Sequence, residues 1–244
     1  MKKCEICNGL EWILKEKDGT TLAVRCECHE EKEIERLTSE AHIPPRYQNN
    51  RVNNYNAINS NQVIAKKAAS NFIEEYPFID YGLFFIGPCG VGKTHLATAI
   101  LNEVIQNGYE GKFCDFGQLL VQIRSSYNPV SRFSEMEILS ELFRSPLLVV
   151  DDFACQRVTD WVLETLTYII KSLYNERRVL LLTTNINMQE MTTDLFFEQL
   201  TDRIGYQVTS RLYEMCHIIP IESADYRKEY ASVYHKMQSK KKKT

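Results

Sequence analysis

Eight consecutive residues, Gly87-Pro88-Cys89-Gly90-Val91-Gly92-Lys93-Thr94, combine glycines, a lysine and a hydroxyl at the spacing G-x-x-x-x-G-K-[ST]. Glycine tolerates positive φ and lets a backbone approach an anion closely. The N–H groups of such a loop, followed by a helix N-terminus, face phosphate oxygens. Lys93 is spaced to reach the β- and γ-phosphates of a nucleoside triphosphate, and Thr94 to offer its hydroxyl to Mg²⁺. His95 follows directly and joins the candidate nucleotide-binding set. An acidic pair, Asp151-Asp152, ends the apolar run 147–150. In a doubly wound sheet ligands bind at the carboxyl ends of strands, which makes Asp151 the candidate Mg²⁺ residue and Asp152 the candidate for orienting an attacking water. Asn185 ends a second apolar run, 179–184, in register to hydrogen-bond a water or the γ-phosphate.

A third group is sulfur. Cys4, Cys7, Cys26 and Cys28 form a C-x-x-C and a C-x-C pair near the N-terminus. Four thiolates can surround Zn²⁺ tetrahedrally and fold a segment too small for its own apolar core. Free or redox-active thiols are the alternative. Because C-x-C is the less usual spacing, His29 is a reserve ligand. Cys89, Cys114, Cys155 and Cys216 have apolar or phosphate-loop neighbours and look unpaired.

These residues need elements to position them. Apolar runs at 83–86, 112–116, 147–150, 179–184 and 217–221 alternate with helical patterns starting near Lys93, Gly117, Ser134, Thr159 and Asp194. Continuous apolar runs are the pattern of buried parallel strands, and strand–helix alternation predicts a parallel sheet with helices on its faces. Upstream, segments 12–14 and 22–24 are expected to pair as a hairpin around the Asp18-Gly19 turn. Residues 29–40 are charged and helical, Pro44-Pro45 ends that helix, 48–61 is irregular, and a helix over 62–75 leads into the main domain.

The chain has 244 residues, 44% of them apolar and 25% charged, with a net charge of -3. That balance gives no global nucleic-acid signal, so any DNA contact must come from a local basic patch. No apolar run approaches the ~20 residues that cross a bilayer. The start Met1-Lys2-Lys3-Cys4 has no apolar signal core, and a cytoplasmic location is expected. Lys240 to Lys243 give the end of the chain a short basic run.

The ordered set of motifs resembles the AAA+ helicase loaders of the DnaC/DnaI type and their IstB-like relatives. Gly87 to Ala97 (GPCGVGKTHLA) is similar to the family's Walker A loop, Leu148 to Asp152 to its Walker B, and Thr183-Thr184-Asn185 to its sensor 1. Asp160-Trp161 stands where the family often has Asp-Trp. Val208-Thr209-Ser210-Arg211-Leu212 resembles the arginine-finger segment, Asp225-Tyr226-Arg227 resembles sensor 2, and Ile43-Pro44-Pro45-Arg46-Tyr47 resembles the connector before the core. The resemblance runs from about residue 43 to 230.

It implies an α/β fold, with a five-stranded parallel AAA+ sheet between helices and a small N-terminal zinc module. The division it implies is 1–40 zinc module and helix, 41–78 connector, 79–238 ATPase domain and 239–244 basic tail. ATP would sit between subunits, with Arg227 on the nucleotide of its own chain and Arg211 on that of a neighbour; Arg203 is the rival finger. The expected partners are a hexameric replicative helicase, single-stranded DNA and further copies of the chain, with no membrane. DNA contact falls to Arg124, Ser125, Tyr127 and Arg132, within the 116–144 region where the loaders carry an extra helix; an ordinary solvated helix face is the alternative. Many AAA+ members have glutamate at the Asp152 position. The shorter side chain suits a slow, switch-like ATPase. A transposition helper of the IstB type shares the core but usually lacks the cysteine module, and a zinc-dependent adaptor with purely structural nucleotide is a third class.

Overall fold

The computed structural model of the protein describes residues 4–17, 20–155, 157–186 and 193–228. The Asp18-Gly19 turn and the 239–244 tail lie outside the described residues. An N-terminal hairpin is formed by β1 (Trp12–Lys17) and β2 (Thr20–Arg25), with Trp12 opposite Arg25 and Leu14 opposite Ala23. Helix α1 (Glu27–Glu40) follows, then a 3-10 turn at Pro45–Tyr47, an irregular stretch, and α2 (Ser60–Glu75). Asn59 caps α2, its side chain accepting the Gln62 N–H, as asparagine at an N-cap commonly does.

The main sheet contains β3 (Gly82–Ile86), β4 (Lys112–Asp115), β5 (Leu147–Asp151), β6 (Val179–Thr184) and β7 (Cys216–Pro220), all parallel in the order β4-β5-β6-β3-β7. Between them lie α3 (Lys93–Gln106), α4 (Phe116–Ser126), α5 (Glu135–Arg144), α6 (Asp160–Asn175), α7 (Thr193–Ile204) and α8 (Tyr206–Met215). Alternate residues of each strand enter two separate cores. Phe84, Ile86, Leu148, Val150, Leu180 and Leu182 face the cluster made with α4 to α8. Leu83, Phe85, Leu147, Val149 and Leu181 face the cluster made with α1, α2 and α3. Central strands buried on both faces are the reason these runs carry no polar alternation.

Two expectations need correction. The helical pattern starting near Asp194 divides into α7 and α8 at Gly205, whose φ of 80° and ψ of 150° break the helix. The 116–144 region holds two helices, α4 and α5, where helical patterns near Gly117 and Ser134 were expected. Phe116 opens α4 instead of ending β4: Asp115 caps it by accepting the Gln118 N–H, and the ring turns into the core.

The connector packs tightly. Val52, Tyr55, Ala65, Ala69 and Phe72 are buried in the same cluster as α3. Leu37 of α1 reaches that cluster too, and the Phe113 N–H of β4 donates to the Ala41 carbonyl just after α1. No helix among the described residues is long and apolar enough to cross a membrane.

Candidate nucleotide and metal sites

The loop between β3 and α3 is built on glycine where no other residue fits. Gly92 has φ 98°, and a Cβ there would fall 2.5 Å from the Tyr55 ring. Gly90 has φ 81°, and a Cβ would fall 1.9 Å from an Asp225 carboxylate oxygen. The loop is thus clasped between the connector and the C-terminal arm. Tyr55 Oη and Gln62 Nε2 donate to the Val91 carbonyl at 3.0 and 3.3 Å. The Tyr226 N–H donates to the Gly90 carbonyl, and Asn59 Nδ2 ties the two arms together through the Glu222 carbonyl at 2.7 Å.

Lys93 is buried at 5% exposure. Its ammonium donates to the carbonyls of Gly87 (2.9 Å) and Pro88 (2.7 Å), and among the described residues no carboxylate forms an ion pair with it. Burial pushes its pKa down. A desolvated cation without a counter-ion is costly unless an anion completes the site. Asp151 is the complementary case, 6% exposed at the tip of β5. It accepts from the Thr94 hydroxyl (2.8 Å) and the Thr183 hydroxyl (2.6 Å), and burial raises its pKa despite those bonds. The next residue, Asp152, accepts from Asn185 Nδ2 at 2.9 Å, so the second carboxylate and the strand-end amide of β6 are in contact.

Lys93, Thr94, Asp151, Asp152 and Asn185 face one cavity of about 500 Å³ at the carboxyl ends of β3, β5 and β6. Its walls include Cys89, Gly90, Val91, Gly92, Lys93, Thr94, His95, Asp151, Asp152, Asn185 and Arg227. Gly87 and Pro88 lie just behind, as the carbonyls that hold Lys93. His95 Nε2 lies 3.1 Å from the Arg51 carbonyl, and burial lowers its pKa. A buried unpaired cation, a buried carboxylate and glycine loops that no Cβ could enter fit a nucleoside polyphosphate with a divalent ion. Lys93, the loop and Arg227 would hold the phosphates; Thr94 and Asp151 would hold the ion.

Two features of this site had no role assigned from sequence. Tyr47, Asn50, Asn54, Tyr55, Asn56 and Gln62 of the connector form the opposite wall. Thr183 is wholly buried and ties the Asp151 carboxylate to the Asp152 backbone, its hydroxyl accepting the Asp152 N–H (3.0 Å) while donating to Asp151 Oδ1 (2.6 Å). The Thr-Thr-Asn spelling at the end of β6 was the available signal for Thr183; the Asn-rich connector has no periodicity that would place it.

The two other arginines of the candidate set lie elsewhere. Arg211, on α8, donates to the Gln207 carbonyl and lies 5.6 Å over the Tyr174 ring, and it is not part of its own chain's cavity wall. Arg203, at the end of α7, donates to the carbonyls of Ala154 and Cys155. At the end of α4, Arg124 lies 4.7 Å over the Trp161 ring of α6, and Trp161 Nε1 donates to Tyr127 Oη at 3.3 Å. Ser125 and Arg132 are exposed nearby.

At the N-terminus the four sulfurs of Cys4, Cys7, Cys26 and Cys28 lie within 4.8 Å of one another. Cys4–Cys26 and Cys7–Cys28 are 3.8 and 3.4 Å apart. Tetrahedral zinc with ~2.3 Å bonds separates its sulfurs by about 3.8 Å, so the donor set fits zinc. Cys7 is drawn down to about 6: burial opposes its ionisation, but hydrogen bonds from Cys28 and the Glu11 and Gly9 backbone outweigh it. His29 lies outside this four-sulfur group. Its Nδ1 lies 3.0 Å from Glu11 Oε2, and Lys32 holds the other oxygen of the same carboxylate, fastening the hairpin end to α1.

A parallel five-stranded sheet with a glycine loop and paired strand-end carboxylates defines a P-loop nucleotide-binding protein of the AAA+ type. Comparison with known proteins agrees. The family model described as IstB-like ATP binding protein matches residues 12–233. The replicative helicase loader DnaC of Escherichia coli (strain K12) is 28% identical over 171 residues, 70% of this chain and 69% of DnaC. The crystal structure of the DnaC helicase loader superposes with a TM-score of 0.67 and 31% identity, covering 73% of this chain and all of that one. The DnaI structure shares the fold, with a TM-score of 0.62 and 21% identity over 78% of this chain and 98% of DnaI. The chain belongs to the IstB-like ATP-binding proteins, within the DnaC-like helicase-loader family.

Proposed function

We propose that this protein loads a hexameric replicative DNA helicase onto single-stranded DNA, with ATP binding and hydrolysis controlling assembly and release. The observation that supports it most is the facing pair of buried, unneutralised groups, Lys93 and Asp151, on a DnaC-like chain. Mg²⁺ bound there neutralises charge on the phosphates. This chain's residues do the rest: Lys93 and Arg227 bind the phosphates, Asp152 holds a water for attack, and Asn185 orients Asp152. With aspartate in place of glutamate at 152, hydrolysis is slow and acts as a switch. ATP then shifts a binding equilibrium by its differential affinity for free and assembled states.

The zinc module is the helicase-docking element in this reading. It exposes Ile6, Leu10, Trp12 and Leu14 on a small scaffold, an apolar set with no covering element among the described residues. Arg211 reaches a neighbouring chain's nucleotide, so that ATP joins subunits. Arg124, Ser125, Tyr127 and Arg132 form the single-stranded DNA contact, combining cations with an aromatic ring for backbone attraction and base stacking.

The test is co-purification of the full chain with a hexameric replicative helicase, repeated after deleting residues 1–40, alongside phosphate release with and without Lys93→Ala. Capture that depends on residues 1–40, and ATP binding weakened more than ~100-fold by Lys93→Ala, are expected. ATP turnover without helicase capture would move the protein to the transposition-helper class.

A further inference from the structure

The turn after β5 adopts a conformation its residues disfavour. Asp152 has φ 52° and Ala154 φ 54°, both left-handed and neither a glycine, a region that L side chains enter only when their surroundings hold them there. Between them Phe153 is buried, its ring 5.4 Å from Phe116 and 6.0 Å from Phe84. Two sets of contacts hold the turn. From β6, Thr183 accepts the Asp152 N–H at its hydroxyl (3.0 Å) and the Phe153 N–H at its carbonyl (2.8 Å). From the last turn of α7, Arg203 Nε donates to the Ala154 carbonyl at 2.5 Å and Nη2 to the Cys155 carbonyl at 3.1 Å. One planar guanidinium thus spans two successive carbonyls, a geometry an ammonium cannot copy.

We infer that Arg203 is a positioning residue acting within its own chain: it grips the 152–155 turn from behind and so fixes the Asp152 carboxylate beside Asn185. Arg203 therefore does not serve a neighbour's nucleotide, and the two arginines at the end of α7 and on α8 divide their work between the home site and the adjacent one. Its catalytic consequence rests on the ATP-hydrolysis reading above; its structural consequence does not.

ATP turnover and ATP affinity of the full chain separate these roles. Arg203→Ala is expected to lower kcat about tenfold or more while ATP Kd stays within about twofold, and Arg203→Lys to recover only part of the loss. Because the effect runs through Asp152, Arg203→Ala added to Asp152→Asn is expected to cost no further rate; an additive loss overturns the inference. Mixing Arg203→Ala chains with Lys93→Ala chains supplies intact Arg203 in trans. The rate per nucleotide-competent site stays low if Arg203 acts at home, and restoration of that rate makes Arg203 a trans finger and overturns the inference. Amide hydrogen exchange provides a readout independent of turnover. Arg203→Ala is expected to speed exchange at 152–155 by about tenfold or more while β5 stays protected. Unchanged exchange there sinks the Arg203 inference, whereas a wild-type chain that does not hydrolyse ATP at all sinks only the hydrolysis reading.

Discussion

Asp151 lies between two hydroxyls in a site that water scarcely reaches, and this sets how acid affects the protein. Burial lifts its pKa above the usual aspartate value, with the Thr183 and Thr94 hydrogen bonds partly offsetting that rise. A raised carboxylate pKa means that a proton competes with a divalent ion at higher pH than it would at a surface aspartate. As pH falls from neutrality toward that raised pKa, the Mg²⁺-dependent part of ATP affinity is expected to weaken. Below the pKa it loses up to about tenfold per pH unit, one proton being taken up per site. Titration calorimetry across pH, with and without Mg²⁺, checks this. Asp151→Asn is expected to remove both the Mg²⁺ dependence and its pH slope. A slope that survives Asp151→Asn assigns the proton to another group.

At the scale of elements, the N-terminal cysteine hairpin makes the clearest demand. The hairpin buries little: Leu14 is 75% exposed and Leu22 46%. Its order has to come from the four sulfurs and from Glu11, which fastens it to α1 through His29 and Lys32. About one zinc per chain is therefore expected from elemental analysis, lost on combining Cys4→Ser with Cys26→Ser. Full folding of residues 4–40 with no metal present would contradict it. Strands β3, β5 and β6 were legible in sequence to within a residue because central strands buried on both faces need unbroken apolar runs. The phosphate loop, both carboxylates and the four cysteines were legible because their chemistry fixes residue type and spacing. The Gly205 break was not, since one glycine within a helical pattern is compatible with an uninterrupted helix. Neither was the connector wall. Tyr55 and Gln62 act through contacts with Val91, far along the chain, and no local pattern records such partners.

Across the whole molecule, the arrangement predicts an assembly that depends on nucleotide. The cavity is walled on one side by the connector and on another by the C-terminal arm, and Arg211 of α8 is not among its walls. In the proposed role, Arg211 would reach the nucleotide of a second chain. Mass photometry of the wild-type chain is expected to show larger species with ATP and Mg²⁺ than without. Arg211→Ala is expected to abolish that shift while ATP affinity for the single chain changes by less than about threefold. Assembly unaffected by Arg211→Ala would place the contact elsewhere.

The contact between α4 and α6 equips the protein with its own optical gauge. The chain contains two tryptophans. One of them, Trp161, has the Arg124 cation over its ring and shares its indole proton with the Tyr127 oxygen. With Trp12 changed to phenylalanine, emission excited at wavelengths that tyrosine does not absorb comes from Trp161 alone. Any event that draws Arg124 or Tyr127 off the indole then alters brightness and colour, without an attached dye.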